Sequence, residues 1–300
     1  MSVSRDGGSQ AGSNTGDMPG EGPMREAYRA AASLSDHLME ESAPGTTRFL
    51  RQTQVVVVAG KYDQGEGVLD LCDIPCTRVH AQATDALRLD PDQVLFVNCP
   101  GALPEKGVGR VRDFVERGGL LVTTDWALTH VVEKAFPGFI EYNKTPTKDD
   151  VVRVVFEQVQ DTFLEGLLDP NEDPLWWLEG SSYPIRVLHP SVKTLVSSAE
   201  MKTKYGEAPI VCAFEVGAGK VYHMTSHFFL QRTETRTKRQ KQGATDYLAA
   251  KGVAEGTLSV AAMAAASNTN LGEIQSAYTS ARAVKNMILE QAKRSTTRRG

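Results

Sequence analysis

The spacing of hydrophobic positions changes along this chain. Residues 54–59 (QVVVVA), 94–98 (VLFVN) and 120–124 (LLVTT) are nearly unbroken apolar runs of strand length. Between the last two, KGVGRVRDFVERGG places Val108, Val111, Phe114 and Val115 three and four residues apart, with Arg110, Arg112, Asp113, Glu116 and Arg117 interleaved. Short apolar runs predict strands buried on both faces, and the 3.6-residue spacing predicts a helix lying on them over 107–117. Pro91 precedes the second run, Gly101 follows it, and Gly118-Gly119 ends the helix. A further helix is expected over 126–136, closed by Pro137-Gly138. Strand, helix, strand, helix in this order is the grammar of a parallel sheet.

The second half carries more β signal. Residues 76–81 suggest a short second strand, and VVRVVFE from Val151 another. The pair Trp176-Trp177 falls in a stretch that reads as loop-rich, an aromatic wall or core packing near the sheet edge. Residues 187–188, 193–198 and 209–215 read as strands, Gly217-Ala218-Gly219 as a tight turn, and 220–226 as the returning arm of a hairpin. That turn lacks the spacing and following helix of a phosphate loop.

The ends differ from the middle. Residues 1–23, rich in Gly, Ser, Asn and Asp, predict disorder, because they offer no apolar surface to offset ordering entropy. Residues 24–49 read as a helical extension, with Ala27, Ala31, Leu34, Leu38 and Met39 on one stripe. The α/β domain then spans 50–230, a basic and alanine-rich linker 231–270, and a C-terminal helix 271–300. Ile274, Ala277, Tyr278, Ala281, Val284, Ile288 and Leu289 share one side of that last helix, which needs a partner surface in its own domain or on another chain. The fold class is therefore α/β, a flavodoxin-like, mostly parallel sheet flanked by helices, with helical N- and C-terminal extensions.

Composition narrows the partners. Among 300 residues the formal net charge is −4 and 41% are hydrophobic, enough for a sizeable core and no drive toward nucleic acid or an anionic membrane. No apolar run is long enough to span a bilayer, and the N-terminus lacks the apolar centre of a signal peptide, so a cytoplasmic location is expected. Cys72, Cys76, Cys99 and Cys212 are too few for a disulfide scaffold and read as reduced thiols. Arg232, Arg236, Lys238, Arg239 and Lys241 lack interleaved aromatics and read as a solvated segment or a docking site for an acidic partner.

Candidate chemistry sits at strand ends, the edge where open α/β sheets bind ligands. Cys99, in Asn98-Cys99-Pro100-Gly101, follows one strand, Asp125 follows the next, and His227 follows the last. Asp125 is expected to cap the following helix through the backbone N–H of Leu128 or Thr129. His223 and His227 are four apart, a spacing that suits metal binding on a helix more than on a strand, and a zinc site would need Cys99 or Asp125 as well. No metal and no cofactor are assigned. Asn98, Gly101, Trp126, Tyr183 and Ser226 are the expected ligand-binding positions.

DQVLFVNCPG, FVERGGLLVTTD, LEGLLDP, WWLEGSSYPI and PIVCAFEVGAGKVYHMTSH, in this order, resemble the class I glutamine amidotransferase-like superfamily, in particular its trehalose-utilisation (ThuA-like) branch, over about residues 54–230. The resemblance implies a cysteine nucleophile on the turn after LLVTT and a His-x-Glu pair completing the site. Here Asp125 or Trp126 occupies that turn, and Phe228 and Phe229 follow His227. The expectation is a catalytically silent amidotransferase-like module that binds a small polar ligand, or a protein partner or second copy through its terminal helices. A hydrolase or lyase on a small polar, sugar-like substrate using His227 with Asp125 or Cys99 is the alternative, and a self-assembling structural protein is a third.

Overall fold

The computed structural model describes residues 23–167, 173–228, 233–254 and 256–299. The expected disorder of residues 1–23 falls outside these but for Pro23, as do Arg232 and the end of LEGLLDP.

The strands are β1 (Val55–Val58), β2 (Cys76–Val79), β3 (Val94–Val97), β4 (Leu120–Thr124), β5 (Ile140–Tyr142), β6 (Asp150–Arg153), β7 (Val155–Phe156), β8 (Leu175–Leu178), β9 (Ile185–Val187), β10 (Lys193–Ser197), β11 (Pro209–Val216) and β12 (Gly219–Met224). Eight of them form one sheet in the order β2-β1-β3-β4-β12-β11-β10-β7. The first five run parallel, and β11, β10 and β7 continue the sheet antiparallel. β5 pairs with β9, and β6 with β8, as separate two-stranded ribbons. VVRVVFE is thus two strands in two sheets, broken at Val154, and the Trp176-Trp177 pair lies in strand β8 and not in a loop.

Alternate strand residues divide the core in two. Val55, Val57, Phe96, Val122 and Tyr222 face one helical layer, whereas Val56, Val58, Leu95, Leu121 and Val221 face the other. Both faces are dry, and for that reason these strands read as continuous apolar runs. The helices are α1 (Pro23–Ser42), α2 (Thr46–Gln52), α3 (Gly65–Leu71), α4 (Glu105–Glu116), α5 (Glu133–Ala135), α6 (Ala199–Tyr205), α7 (Ala244–Ala250), α8 (Val260–Ser267) and α9 (Leu271–Arg299). Val108, Val111, Phe114 and Val115 of α4 enter the second layer as their spacing predicts. The helix expected over 126–136 is instead a π turn, Leu128–Val132, running into short α5.

The terminal helices are not appendages. α1 packs along α9, with α7 and α8 alongside them, and Tyr28, Leu34, Ile274, Ala281 and Ile288 join the first core cluster together with the strand residues. The apolar stripe of the final helix therefore finds its partner surface inside the chain, which removes the reason to expect an oligomer built through it. Residues 231–270, expected as a linker, include α7 and α8, and Tyr247, Leu248, Ala262 and Ala265 are buried. Arg236 in the basic run pairs with Glu200 at 3.0 Å instead of pointing into water.

Candidate functional site

Because β1, β3, β4 and β12 are parallel neighbours, their C-terminal ends open onto one edge, and Asp63, Cys99, Asp125 and His227 follow them in turn. The three predicted candidates converge: one donor atom each from Cys99, Asp125 and His227 lies within 4.8 Å of the other two. All three are buried, at 1%, 3% and 3% exposure.

The backbone at this edge is held in an uncommon conformation. Asp125, Ser181 and Ser226 have φ of +47°, +72° and +73°, and these three border the same site. Left-handed backbone costs a non-glycine residue roughly 1–2 kcal/mol, so it persists where surrounding contacts fix it. At Asp125 the contacts are visible: its carboxylate accepts from the Ser182 hydroxyl at 3.0 Å and from the Tyr183 backbone N–H at 2.8 Å. The helix-capping role expected for its side chain is taken by its backbone carbonyl, which accepts from Leu128 N–H at 2.9 Å. The sharp left-handed turn aims the carboxylate inward, away from the following helical turn.

His227 is oriented from both sides. Its Nδ1 lies 2.7 Å from Glu179 Oε2, and its Nε2 faces Asp125 Oδ2 at 3.7 Å. Burial pushes this imidazole down, but Asp63, Cys99 and Glu179 together outweigh it and hold it well above the usual histidine range. Burial likewise raises the Asp125 carboxyl to about 6 against the opposing pull of His227, and raises the Cys99 thiol and the Asp63 carboxyl.

A second chain of hydrogen bonds runs beneath. The Cys99 backbone N–H donates to Thr124 Oγ1 at 3.1 Å, and that hydroxyl donates to Asp63 Oδ2 at 2.6 Å. An aromatic layer closes the edge. Trp126 Nε1 donates to the Ser181 carbonyl at 2.7 Å, its ring stacks on Tyr183 at 5.6 Å, Tyr183 stacks on Tyr142 at 3.9 Å, and Tyr62 meets Trp126 edge-on at 5.3 Å.

Of the expected ligand-binding positions, Trp126, Tyr183 and Ser226 border this site. Asn98 turns aside to Glu66, its Nδ2 donating to Oε2 at 2.6 Å. Gly101, at φ +67°, is needed for packing, since a Cβ there would meet Ala127 Cβ at 2.8 Å. His223 does not join His227: strand β12 ends at Met224, and His223 Nδ1 lies 2.8 Å from the Thr123 hydroxyl. Phe228 packs on Phe96 in the first core cluster, with ring centroids 6.2 Å apart, and does not fill the site. Sequence reasoning missed Asp63 and the role of Glu179. The density of polar groups in LEGSSY was the available signal for Glu179, whereas nothing in KYDQGEG marks Asp63.

No protein-family model matches the chain, and no curated protein matches it. Solved structures give partial likenesses. The GH42 β-galactosidase Gan42B of G. stearothermophilus is 15% identical over 57% of this chain and 27% of its own, with TM-score 0.39. A cytoplasmic protein of Salmonella typhimurium LT2 is 10% identical over 58% and 88%, TM-score 0.42. PurLQS of Thermotoga maritima is 13% identical over 59% and 87%, TM-score 0.46. This chain thus spans little more than a quarter of that galactosidase's length. Among the described residues no helix is long and apolar enough to cross a membrane.

Proposed function

We propose that the chain is a catalytically silent module of the glutamine amidotransferase-like type, with its sheet-edge site retained for binding and not for amide hydrolysis. The carrying observation is the occupant of the turn after β4: a carboxylate, Asp125, both of whose oxygens are already engaged by Ser182 and Tyr183. Amide hydrolysis in the resembling enzymes needs a thiolate at that turn and free backbone donors on the loop after β3. Here the only thiol of the site sits on that loop, and the Cys99 N–H is bound to Thr124. Burial raises the thiol further from its reactive form. The parallel order β2-β1-β3-β4-β12 supports the flavodoxin-like reading of the sheet, with the site at strand C-termini where such folds place ligands.

The test is ammonia release from glutamine by the purified chain, run beside Cys99→Ala. Release no faster than buffer in both is the expected result. Turnover that Cys99→Ala abolishes would overturn the reading.

One observation favours a second reading, a hydrolase or lyase acting on a small polar substrate. Asp125 stands in a left-handed strand-to-helix turn with His227 beside it and Glu179 behind, an arrangement able to present a carboxylate and an acid to a substrate. Turnover of a small ester or glycoside, lost in both Asp125→Asn and His227→Gln, would establish it.

A further inference from the structure

Cys99, Asp125 and His227 bring one sulfur, one oxygen and one nitrogen within 4.8 Å of one another, and the Cys99 thiol and His227 ring interact directly, a contact that a bound ion would replace. The Asp125 Oδ2 to His227 Nε2 separation is 3.7 Å, beyond hydrogen-bond length. It is close to the ~3.4 Å edge of a tetrahedron whose centre lies about 2.1 Å from each donor. His227 Nε2 is buried and meets no nitrogen or oxygen partner at hydrogen-bond length, which is costly for a polar atom in a dry site.

The surroundings have the form of support for metal ligands. Glu179 lies on Nδ1 of His227 at 2.7 Å, the carboxylate-histidine arrangement that fixes the ring and leaves Nε2 facing inward. Ser182 and Tyr183 hold the Asp125 carboxylate. Ser226 and Asp125, both left-handed, set the approach of two of the three donors. We propose that this chain binds one zinc-class divalent ion through Cys99 Sγ, Asp125 Oδ2 and His227 Nε2.

Donor chemistry selects the ion. A thiolate with an imidazole favours zinc, cobalt or iron over magnesium and calcium, which take oxygen ligands. A thiolate and a carboxylate together balance a divalent charge, so the bound set is neutral in a buried place where isolated charge is unfavourable. Three protein donors leave a fourth position for a water or for an atom of a bound molecule. Residue spacing conceals the set, because the donors are 26 and 102 positions apart and only the parallel order β3-β4-β12 brings them together. The inference goes beyond the silent reading and does not depend on it, since a site can hold an ion without turnover.

The experiment uses the full chain produced in medium supplemented with cobalt, and separately with zinc, then purified and analysed for bound metal and for absorption. One ion per chain is expected, and the cobalt form shows a thiolate-to-cobalt charge-transfer band in the near ultraviolet. The band disappears in Cys99→Ser and persists in Cys76→Ser, which removes a cysteine elsewhere. Glu179→Gln weakens zinc affinity about 10–100-fold. A wild-type chain with no ion, cobalt bound without the thiolate band, or a band unchanged in Cys99→Ser overturns the proposal. Should Cys99→Ser fail to fold, X-ray absorption of the wild-type zinc form decides the matter: one sulfur with nitrogen and oxygen neighbours is required, and a sulfur-free shell refutes it.

Discussion

Lys285 Nζ, fully buried, lies 2.7 Å from Asp36 Oδ1 and donates to the Ala32 carbonyl at 2.9 Å, tying the last helix to the first across 249 positions of sequence. The two partners are unequal, for Asp36 keeps 33% of its side chain exposed whereas Lys285 keeps none. Removing the carboxylate leaves a buried ammonium with a single carbonyl, while removing the ammonium leaves a carboxylate that water can reach. Asp36→Ala should therefore destabilise the fold by roughly 2 kcal/mol, discounted for the exposure of Asp36, and Lys285→Met by less. Urea midpoints of the two variants check the order, and a larger loss in Lys285→Met contradicts it.

The same contact bears on what the C-terminal helix does. Nineteen residues of α9 are buried, packed against α1, α2, α3 and α7. A chain ending at residue 270 should lose its near-ultraviolet circular dichroism and bind a hydrophobic dye, since the sheet face and α1 lose their cover. A cooperatively folding truncated chain that differs only in its oligomeric state would return α9 to the role of an association device.

The parallel core was legible because strands buried on both faces write unbroken apolar runs, and α4 because its four apolar residues mark a single stripe. That Cys99, Asp125 and His227 each follow a strand was legible, but their meeting was only the condition on which the enzyme alternative depended, because strand order is not written in local sequence. Less legible were features that depend on distant partners. Nothing local says that Asp125 turns from its own helix toward Ser182, 57 positions on, or that Trp176-Trp177 forms a strand, because its pairing with β6 is set by tertiary context. The stripe on α9 showed that a partner surface was needed, but a stripe cannot say whose surface it is.

Trp126 belongs to the aromatic layer beside the site. It is held by one hydrogen bond to Ser181 and by ring contacts with Tyr183 and Tyr62. In metal-free protein at neutral pH, iodoacetamide should modify half-buried Cys76 before Cys99. Trp126→Ala should then raise the Cys99 rate about tenfold or more, since losing the stacking and the hydrogen bond lowers the opening free energy by at least ~1.4 kcal/mol. Peptide mass mapping over time reads both thiols. Cys99 modified as fast in the wild type as in the variant would mean that Trp126 does not guard it.

His223 is the group whose titration should show most clearly in stability. It is wholly buried, its Nε2 has no hydrogen-bond partner, and burial lowers its pKa to about 3. The unfolded chain binds this proton near pH 6.5 and the folded chain only near pH 3, so between those values the unfolded state carries the extra proton. The stability that comes from keeping His223 neutral is therefore complete above about pH 6.5 and is lost as the pH falls, by up to about 1.4 kcal/mol per pH unit. His223→Gln keeps a polar partner for Thr123, which lies 2.8 Å from the ring, but has no proton to gain. Between pH 7 and pH 5 the wild type should lose roughly 2 kcal/mol more than the variant, measured by urea unfolding at both values. Every other titrating group is common to the two chains, so parallel pH profiles would show that His223 is not held neutral by the fold.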